Sequence, residues 1–344
     1  MNTDEFLELF NELDDNEEID NFINKDKRRK RFPERHFKYV REANSDFLKG
    51  QDDSRRNFNF TYSAARFEEG WLLDSLGDFY EHQWITDVLM RLKGGKEASV
   101  YLSRSGPAIE AGLVAAKVYR PRLLRNLKND GEYRTGRVDL DESGRAIVKD
   151  GDIHAMQKRT AYGEELRHQS WIAYEFQTLE TLYNVGADVP RPYVMEKNAI
   201  LMDYIGDLEI AAPTLNTVTL DSDEVIPLFD RVVRNIDLLL SNERIHGDLS
   251  AYNILYWEGD ITLIDFPQVV QPESNPAAWT IFLRDMTRVC QYFASQGVKR
   301  DARRLAADLW TSHGHRITNE VHPRDLDPEK NEDRQFWEKQ TVDK

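Results

Sequence analysis

The segment Ile245-His246-Gly247-Asp248-Leu249-Ser250-Ala251-Tyr252-Asn253 constrains this chain more than any other. Two apolar runs follow it, Ile254 to Trp257 and Ile261 to Ile264, joined at Glu258-Gly259-Asp260, and then comes Asp265-Phe266. Short apolar runs around a glycine turn read as a β-hairpin. Folding it about Gly259 sets Asn253, at the start of one strand, opposite Asp265, at the end of the next. An amide oxygen and a carboxylate side by side are hard donors of the kind Mg²⁺ takes alongside phosphate oxygens. Asp248 then faces the same opening, where a carboxylate can orient a hydroxyl and accept its proton during phosphoryl transfer.

Phosphoryl transfer also needs cations and main-chain donors for phosphates, because its catalysis is mostly positioning and charge stabilisation. Lys93-Gly94-Gly95-Lys96-Glu97-Ala98-Ser99 lies between strand-like runs, and paired glycines let N–H groups approach phosphate oxygens. In the run Leu113 to Tyr119, Val114, Ala116 and Val118 share one strand face and Lys117 points to the other. Ile172, Phe176, Leu179 and Tyr183 have helical spacing, with Glu175 beside the stripe, so an ion pair from Glu175 can hold Lys117 toward the phosphates. Each part alone is weak. The Walker pattern fails because Lys96 is followed by Glu97, a mid-strand Lys is ordinarily a surface residue, and a helix Glu is ordinarily solvated. His-Gly-Asp-Leu-x-x-x-Asn followed by apolar-Asp-Phe at hairpin spacing is specific, and the order along the chain promotes the weaker parts.

Other residues read more plainly. His246 is expected to pack or hydrogen-bond the loop while Asp248 acts as the base, and no metal-binding His cluster is evident. Asp285, in the apolar helix pattern around Phe282 to Phe293, either accepts N–H bonds from the catalytic loop or lies exposed. Cys290, the single cysteine, is expected to pack as a small hydrophobe. With one cysteine the chain forms no internal disulfide, and with no signal-like leader or membrane span a soluble, cytoplasmic protein is expected.

At 344 residues, with 40% hydrophobic and 31% charged residues, one two-lobed domain with polar tails is expected. Residues 1–60 are expected to be a polar, mostly disordered tail with an acidic stretch around Asp14 to Asp20 and a basic run from Lys25 to Arg31. The domain spans 61–310, with an N-lobe to about 203 and a C-lobe from about 204, and 311–344 is a polar tail. A net charge of −15 argues against a surface that grips nucleic acid as a whole and leaves local basic segments for any such contact. Within the domain, a helix is expected from Trp71 to Leu89, a loop from Arg120 to about Glu165, and a hairpin around Glu196-Lys197-Asn198. Further helices are expected along the stripe Val225, Phe229, Val232, Ile236 and Leu239, from Ala278 to Phe293, and from Asp301 to Leu309.

Gly95-Lys96-Glu97-Ala98-Ser99-Val100-Tyr101, Ala116-Lys117-Val118-Tyr119, the His246 to Asn253 segment and Ile264-Asp265-Phe266-Pro267-Gln268 together resemble the RIO family of atypical serine/threonine protein kinases. The resemblance covers roughly Leu92 to Phe293. It implies an α+β, bilobal, trimmed protein-kinase-like fold, with an N-lobe antiparallel sheet plus helix and a mostly helical C-lobe. ATP with Mg²⁺, or Mn²⁺ in its place, lies between the lobes. Asp248, Lys117 and Asp265 are the implied catalytic residues, and Asn253 and Asp265 the implied metal ligands. Gly94, Gly95, Lys96, Glu97, Ser99, Val100 and Lys117 are implied to bind the nucleotide, with Glu175 as the ion-pair partner of Lys117, and Met202, Asp203, Tyr204 and Ile205 form the hinge facing adenine. Thr135 or Ser143, in the loop that the family orders around ligand, is an implied autophosphorylation site. The implied setting is small-ribosomal-subunit maturation, with the precursor as partner.

Departures from ordinary protein kinases are also visible. Gly247 replaces their Arg, and no Ala-Pro-Glu segment follows Asp265, so activation-loop control and the usual peptide platform are expected to be missing. One RIO subgroup carries an N-terminal winged helix, for which the first 60 residues lack a core, whereas Asp-Phe-Pro-Gln resembles that subgroup. A small-molecule kinase of the aminoglycoside or choline phosphotransferase kind shares His-Gly-Asp-Leu-x-x-x-Asn and Ile-Asp-Phe but not Gly-Lys-Glu-Ala or Pro-Gln. A nucleotide-binding scaffold without turnover is the third reading. The phosphate acceptor stays open between serine, water and Asp265.

Overall fold

The computed structural model describes residues 58–95, 97–120, 136–141 and 143–317. The charged stretches before residue 58, together with Lys96 and Thr135, lie outside the described residues.

Phe58 is buried and stacks on Tyr80 at 4.4 Å. It precedes helix α1 (Arg66–Glu81) and strand β1 (Ile85–Gly94). The single helix expected from Trp71 to Leu89 is therefore divided. Leu72, Leu76 and Phe79 are helical and buried, but α1 stops at Glu81, Gln83 takes φ 58°, and Ile85 and Val88 are buried from a strand. The spacing of Trp84 to Val88 fits both the helical period and the even strand period, and β-branched Ile85, Thr86 and Val88 favour the strand.

Strands β2 (Ala98–Ser105), β3 (Leu113–Tyr119), β4 (Pro192–Glu196) and β5 (Ala199–Asp203) complete a five-stranded antiparallel sheet in the order β1-β2-β3-β5-β4. Alternation divides β3 between two cores. Val114, Ala116 and Val118 pack with α1 through Leu72, Leu76 and Phe79, while Ala115 and Tyr119 belong to the larger core shared with the helical half.

The expected loop from Arg120 to Glu165 contains structure. Helix α2 (Asp150–Gln157) lies inside it, and α3 (Ala161–Asn184) starts at Thr160, whose hydroxyl accepts the Gly163 N–H at 3.0 Å. A single buried residue in α2, Met156, leaves no stripe to recognise.

The helical half holds α4 (Val225–Ser241), hairpin β6 (Ile254–Trp257) and β7 (Asp260–Leu263), α5 (Ala278–Ser295) and α6 (Ala302–Ser312). All five stripe residues of α4 are buried, each worth about 1.5–3 kcal/mol of apolar transfer. Asp188 ties the hairpin to α4. Its carbonyl accepts the Leu263 N–H at 2.8 Å, and its carboxylate accepts from Arg231 at 2.8 and 2.9 Å and from Asn235 at 2.7 Å. No described helix is long and apolar enough to cross a membrane.

Candidate active site

The β6–β7 register differs from the expected one. Ile254 pairs with Leu263 and Trp257 with Asp260, because the turn is the two-residue Glu258-Gly259, both at positive φ, rather than three residues centred on Gly259. Asn253 consequently faces Ile264, whose N–H it accepts at 3.0 Å, and not Asp265. Asp265 lies one residue past that pairing and turns away from the ladder with φ 71°.

That turn delivers its carboxylate to the sheet. Asp265 Oδ1 accepts from Lys117 Nζ at 2.7 Å, and Glu175 Oε1 accepts from the same ammonium at 2.6 Å. Lys117 reaches both because β3 presents it on the face opposite Ala116 and Val118, toward α3. Glu175 is 1% exposed; its Oε2 accepts the Tyr119 hydroxyl at 2.6 Å, and its Oε1 also accepts the Phe266 N–H at 3.4 Å. One α3 carboxylate thus joins the strand lysine to the Asp265-Phe266 turn. Burial acts to lower the Lys117 pKa, but Asp265 and Glu175 outweigh it and hold the pKa above the ordinary lysine value. Burial acts to raise Asp265, and the Lys117 charge outweighs it, so its pKa lies below the ordinary aspartate value. Both groups are charged at neutral pH.

On the helical side, Asn253 Nδ2 donates to the Asp248 carbonyl at 2.9 Å and to its Oδ2 at 3.3 Å. The Asn253 amide N–H groups are spent on Asp248, which leaves its oxygen as the ligand atom. That oxygen and the half-exposed Asp265 carboxylate are each hard donors of the kind Mg²⁺ takes.

The His246 to Asn253 loop is held from behind. Gly247 N–H donates to Asp285 Oδ2 at 2.8 Å, which decides between the two readings of Asp285: it is 3% exposed and accepts from the loop. Burial raises its pKa to about 6, against the opposing pull of Arg284 and the loop N–H groups. His246 is buried as expected, its Nε2 3.1 Å from the Ile264 carbonyl and its Nδ1 accepting the Asp248 N–H at 3.3 Å. Burial lowers its pKa, so the ring is neutral, with its proton on Nε2. Cys290 is buried, as expected for packing.

The remaining expected residues divide. Gly94 closes β1, Gly95 follows it, and the Glu97 carbonyl accepts the Arg120 N–H at 2.9 Å. Val100 pairs with Lys117 and shares its face. Ser99 does not: one position away, it pairs with Val118 and is buried on the opposite face, so strand alternation turns its hydroxyl away from the Lys117 side. In the expected hinge, Met202 is buried, Asp203 accepts from Tyr193 Oη at 2.5 Å and from Arg191 N at 3.1 Å, Tyr204 Oη donates to the Asp207 carbonyl at 2.9 Å, and the Ile205 carbonyl accepts from Ala212 N at 3.0 Å. Ser143 donates to Asp141 Oδ1 at 2.7 Å within a turn.

Sequence reasoning missed three arginines. Arg284 donates to the Gly247 carbonyl and pairs with Asp285 at 3.3 Å, and Arg288 Nη1 lies 2.7 Å from Asp248 Oδ1. Arg137 donates to the carbonyls of Pro267 (3.0 Å) and Val269 (2.6 Å) and lies 4.1 Å over the Tyr174 ring. Arg284 and Arg288 share a helix face by their spacing of four, but nothing local says what that face meets.

A family profile described as the RIO domain matches residues 132–305, just over half of the chain. The chain belongs to the RIO family. Its α+β architecture, an antiparallel sheet with helix beside a mostly helical half, is the bilobal arrangement expected of a trimmed kinase-like fold. Among curated relatives, the RIO-type serine/threonine-protein kinase Rio1 of Haloferax volcanii is 28% identical over 211 residues, covering 60% of this chain and 63% of the relative. The serine/threonine-protein kinase RIO1 of Chaetomium thermophilum is 31% identical over 229 residues, covering 62% of this chain and 40% of the relative. The matched stretch thus spans less than two thirds of either relative. A crystal structure of the Rio2 kinase-ADP/Mg²⁺-phosphoaspartate complex from Chaetomium thermophilum aligns with a TM-score of 0.45 and 19% identity over 86% of each chain.

Proposed function

We propose that this RIO-family chain is an ATP- and Mg²⁺-dependent serine/threonine kinase that transfers the γ-phosphoryl group to itself or to a macromolecular partner. The observation that carries the reading is the Lys117 ammonium, 2.6 Å from Glu175 and 2.7 Å from Asp265, which links the sheet to the loop of the helical half. A buried ammonium so positioned is a ready counter-charge for nucleotide phosphates entering between the lobes. Asn253 and Asp265 would hold the metal, which when bound neutralises phosphate charge. Asp248 orients the acceptor hydroxyl and takes its proton, while Asn253 fixes the Asp248 carboxylate. The Gly94-Gly95 loop and Val100 cover the phosphates, and Met202 to Ile205 face the adenine. For the partner, the family resemblance implies a ribosomal small-subunit precursor.

The test follows the γ-phosphate of labelled ATP with the purified chain and with extract of its own cells. Asp248→Asn should abolish labelling of protein, and phosphate mapping should find it on serine or threonine. Equal background turnover in wild type and Asp248→Asn, or rapid transfer to choline or an aminoglycoside instead, would overturn the proposal.

A further inference from the structure

The Asp248 carboxylate has two neighbours of different kinds. Asn253 Nδ2, which donates to its Oδ2 at 3.3 Å, also binds the Asp248 carbonyl and so belongs to the framework of the loop. Arg288 Nη1, 2.7 Å from Oδ1, comes from α5, and this pair is open to water, with the two side chains 40% and 42% exposed. Arg284, one turn earlier on α5, makes the contrast. Its carboxylate partner Asp285 is 4% exposed and fixed by the Gly247 N–H, so Arg284 is a strut.

An acceptor hydroxyl that donates its proton to Asp248 Oδ1 meets there the guanidinium that Arg288 already places on that oxygen. The exchangeable bond is the exposed one, since a half-exposed ion pair changes an equilibrium by about two- to five-fold. The loop has no arginine of its own to play this part. Gly247 has φ +82°, and a Cβ there would come within 2.1 Å of the Gln268 carbonyl oxygen. A guanidinium set loose at the mouth of the site is best satisfied by a carboxylate or phosphate, which it can bind in bidentate fashion.

We propose that Arg288 is a latch on the acceptor site: it holds the proton-accepting oxygen of Asp248 until a hydroxyl arrives, and then passes to an acidic group flanking that hydroxyl. This rests on the reading of Asp248 as the base. In the step itself, the acceptor O–H proton goes to Asp248 Oδ1 as the hydroxyl oxygen bonds to the γ-phosphorus. The bond from phosphorus to the β,γ-bridging oxygen breaks, and ADP leaves with the electron pair. Arg288 selects the acceptor by charge, favouring serine or threonine beside Asp, Glu or a phosphorylated residue.

The test compares two serine peptides, one with acidic flanks and one with neutral flanks, as acceptors for the full chain. The readout is the ratio of their kcat/KM values, which cancels any difference in folded fraction. Wild type should prefer the acidic peptide by about five-fold. Arg288→Gln should bring the ratio near one, chiefly by raising the KM of the acidic peptide, and Arg288→Lys should keep most of the preference. A wild-type ratio of one, or the same ratio in wild type and Arg288→Gln, overturns the latch. Asp248→Asn separates the two levels: transfer surviving in that variant overturns the kinase reading itself, whereas a silent Asp248→Asn with an unchanged Arg288→Gln ratio overturns the latch alone.

Discussion

Glu175 Oε1 lies 2.6 Å from Lys117 Nζ with the glutamate side chain 1% exposed, so a carboxylate on α3 sets where the β3 ammonium stands. Removing both charges from water costs several kcal/mol, and the pair persists because each is further bonded, Lys117 to Asp265 and Glu175 to Tyr119. An arrangement that expensive restricts the ways either partner can be changed.

Replacing Glu175 with Gln keeps the shape and removes the charge. Lys117 then retains half-exposed Asp265 as its counter-ion, and Tyr119 keeps an acceptor, yet the buried ammonium is under-compensated. The expected loss of stability is about 3 kcal/mol, read from urea denaturation. Phosphoryl transfer should fall by about a hundred-fold or more, because Lys117 is no longer fixed. Wild-type stability in the variant would show that the pair contributes nothing net.

Gly247→Ala tests the backbone of the His246 to Asn253 loop. The residue is at φ +82°, and the added methyl would meet the Gln268 carbonyl oxygen at 2.1 Å. Strain at a positive φ and a clash with main chain each cost about 1–3 kcal/mol, so a loss of about 3 kcal/mol or more is expected in thermal or urea unfolding. Gly247 stands where ordinary protein kinases have Arg, and in this backbone conformation any side chain would meet the Gln268 carbonyl.

The Lys117–Glu175 ion pair was legible because the specific His246 to Asn253 segment followed by Asp265-Phe266 promoted a strand lysine and a helix carboxylate that are weak signals alone, and because a carboxylate beside an apolar stripe needs a partner. What stayed hidden depends on geometry that a pattern does not carry. One residue in the length of the Glu258-Gly259 turn decides whether Asn253 faces Asp265 or Ile264, and one step of alternation decides whether Ser99 or Val100 shares the face of Lys117. The spacing from Trp84 to Val88 suits a helix and a strand alike. Arg137, Arg284 and Arg288 act across the fold, on partners more than a hundred residues away for Arg137 and about forty for the other two, and nothing adjacent to them records this.

Asp265→Asn addresses the lysine and the metal together. The Lys117 ammonium is held up by Asp265 first and Glu175 second, against burial, so removing the Asp265 charge lowers its pKa. With one carboxylate fewer in the donor set, the Mg²⁺ requirement should rise by about ten-fold or more in a titration of nucleotide binding against metal. An unchanged Mg²⁺ midpoint would remove Asp265 from the metal site.

His246 and Asp285 brace the same loop and give stability opposite pH slopes. Burial lowers the His246 pKa below 6.5, so as pH falls through 6.5 the unfolded chain takes up a proton that the folded one refuses, and stability is lost on acidification. Burial raises Asp285 from 3.8 to about 6, so the folded chain holds a proton that the unfolded one releases. That contribution is complete below pH 3.8 and lost as pH rises to about 6, by about 3 kcal/mol. Between about pH 4 and 6 the two slopes oppose each other in the wild type. Urea denaturation across pH 4.5–7.5 separates them: relative to wild type, His246→Gln should be flatter on the acid side, and Asp285→Asn should gain relative stability as pH rises toward 6. Parallel profiles for wild type and Asp285→Asn would mean that the carboxyl titrates alike in both states and that the Gly247 N–H offsets its burial.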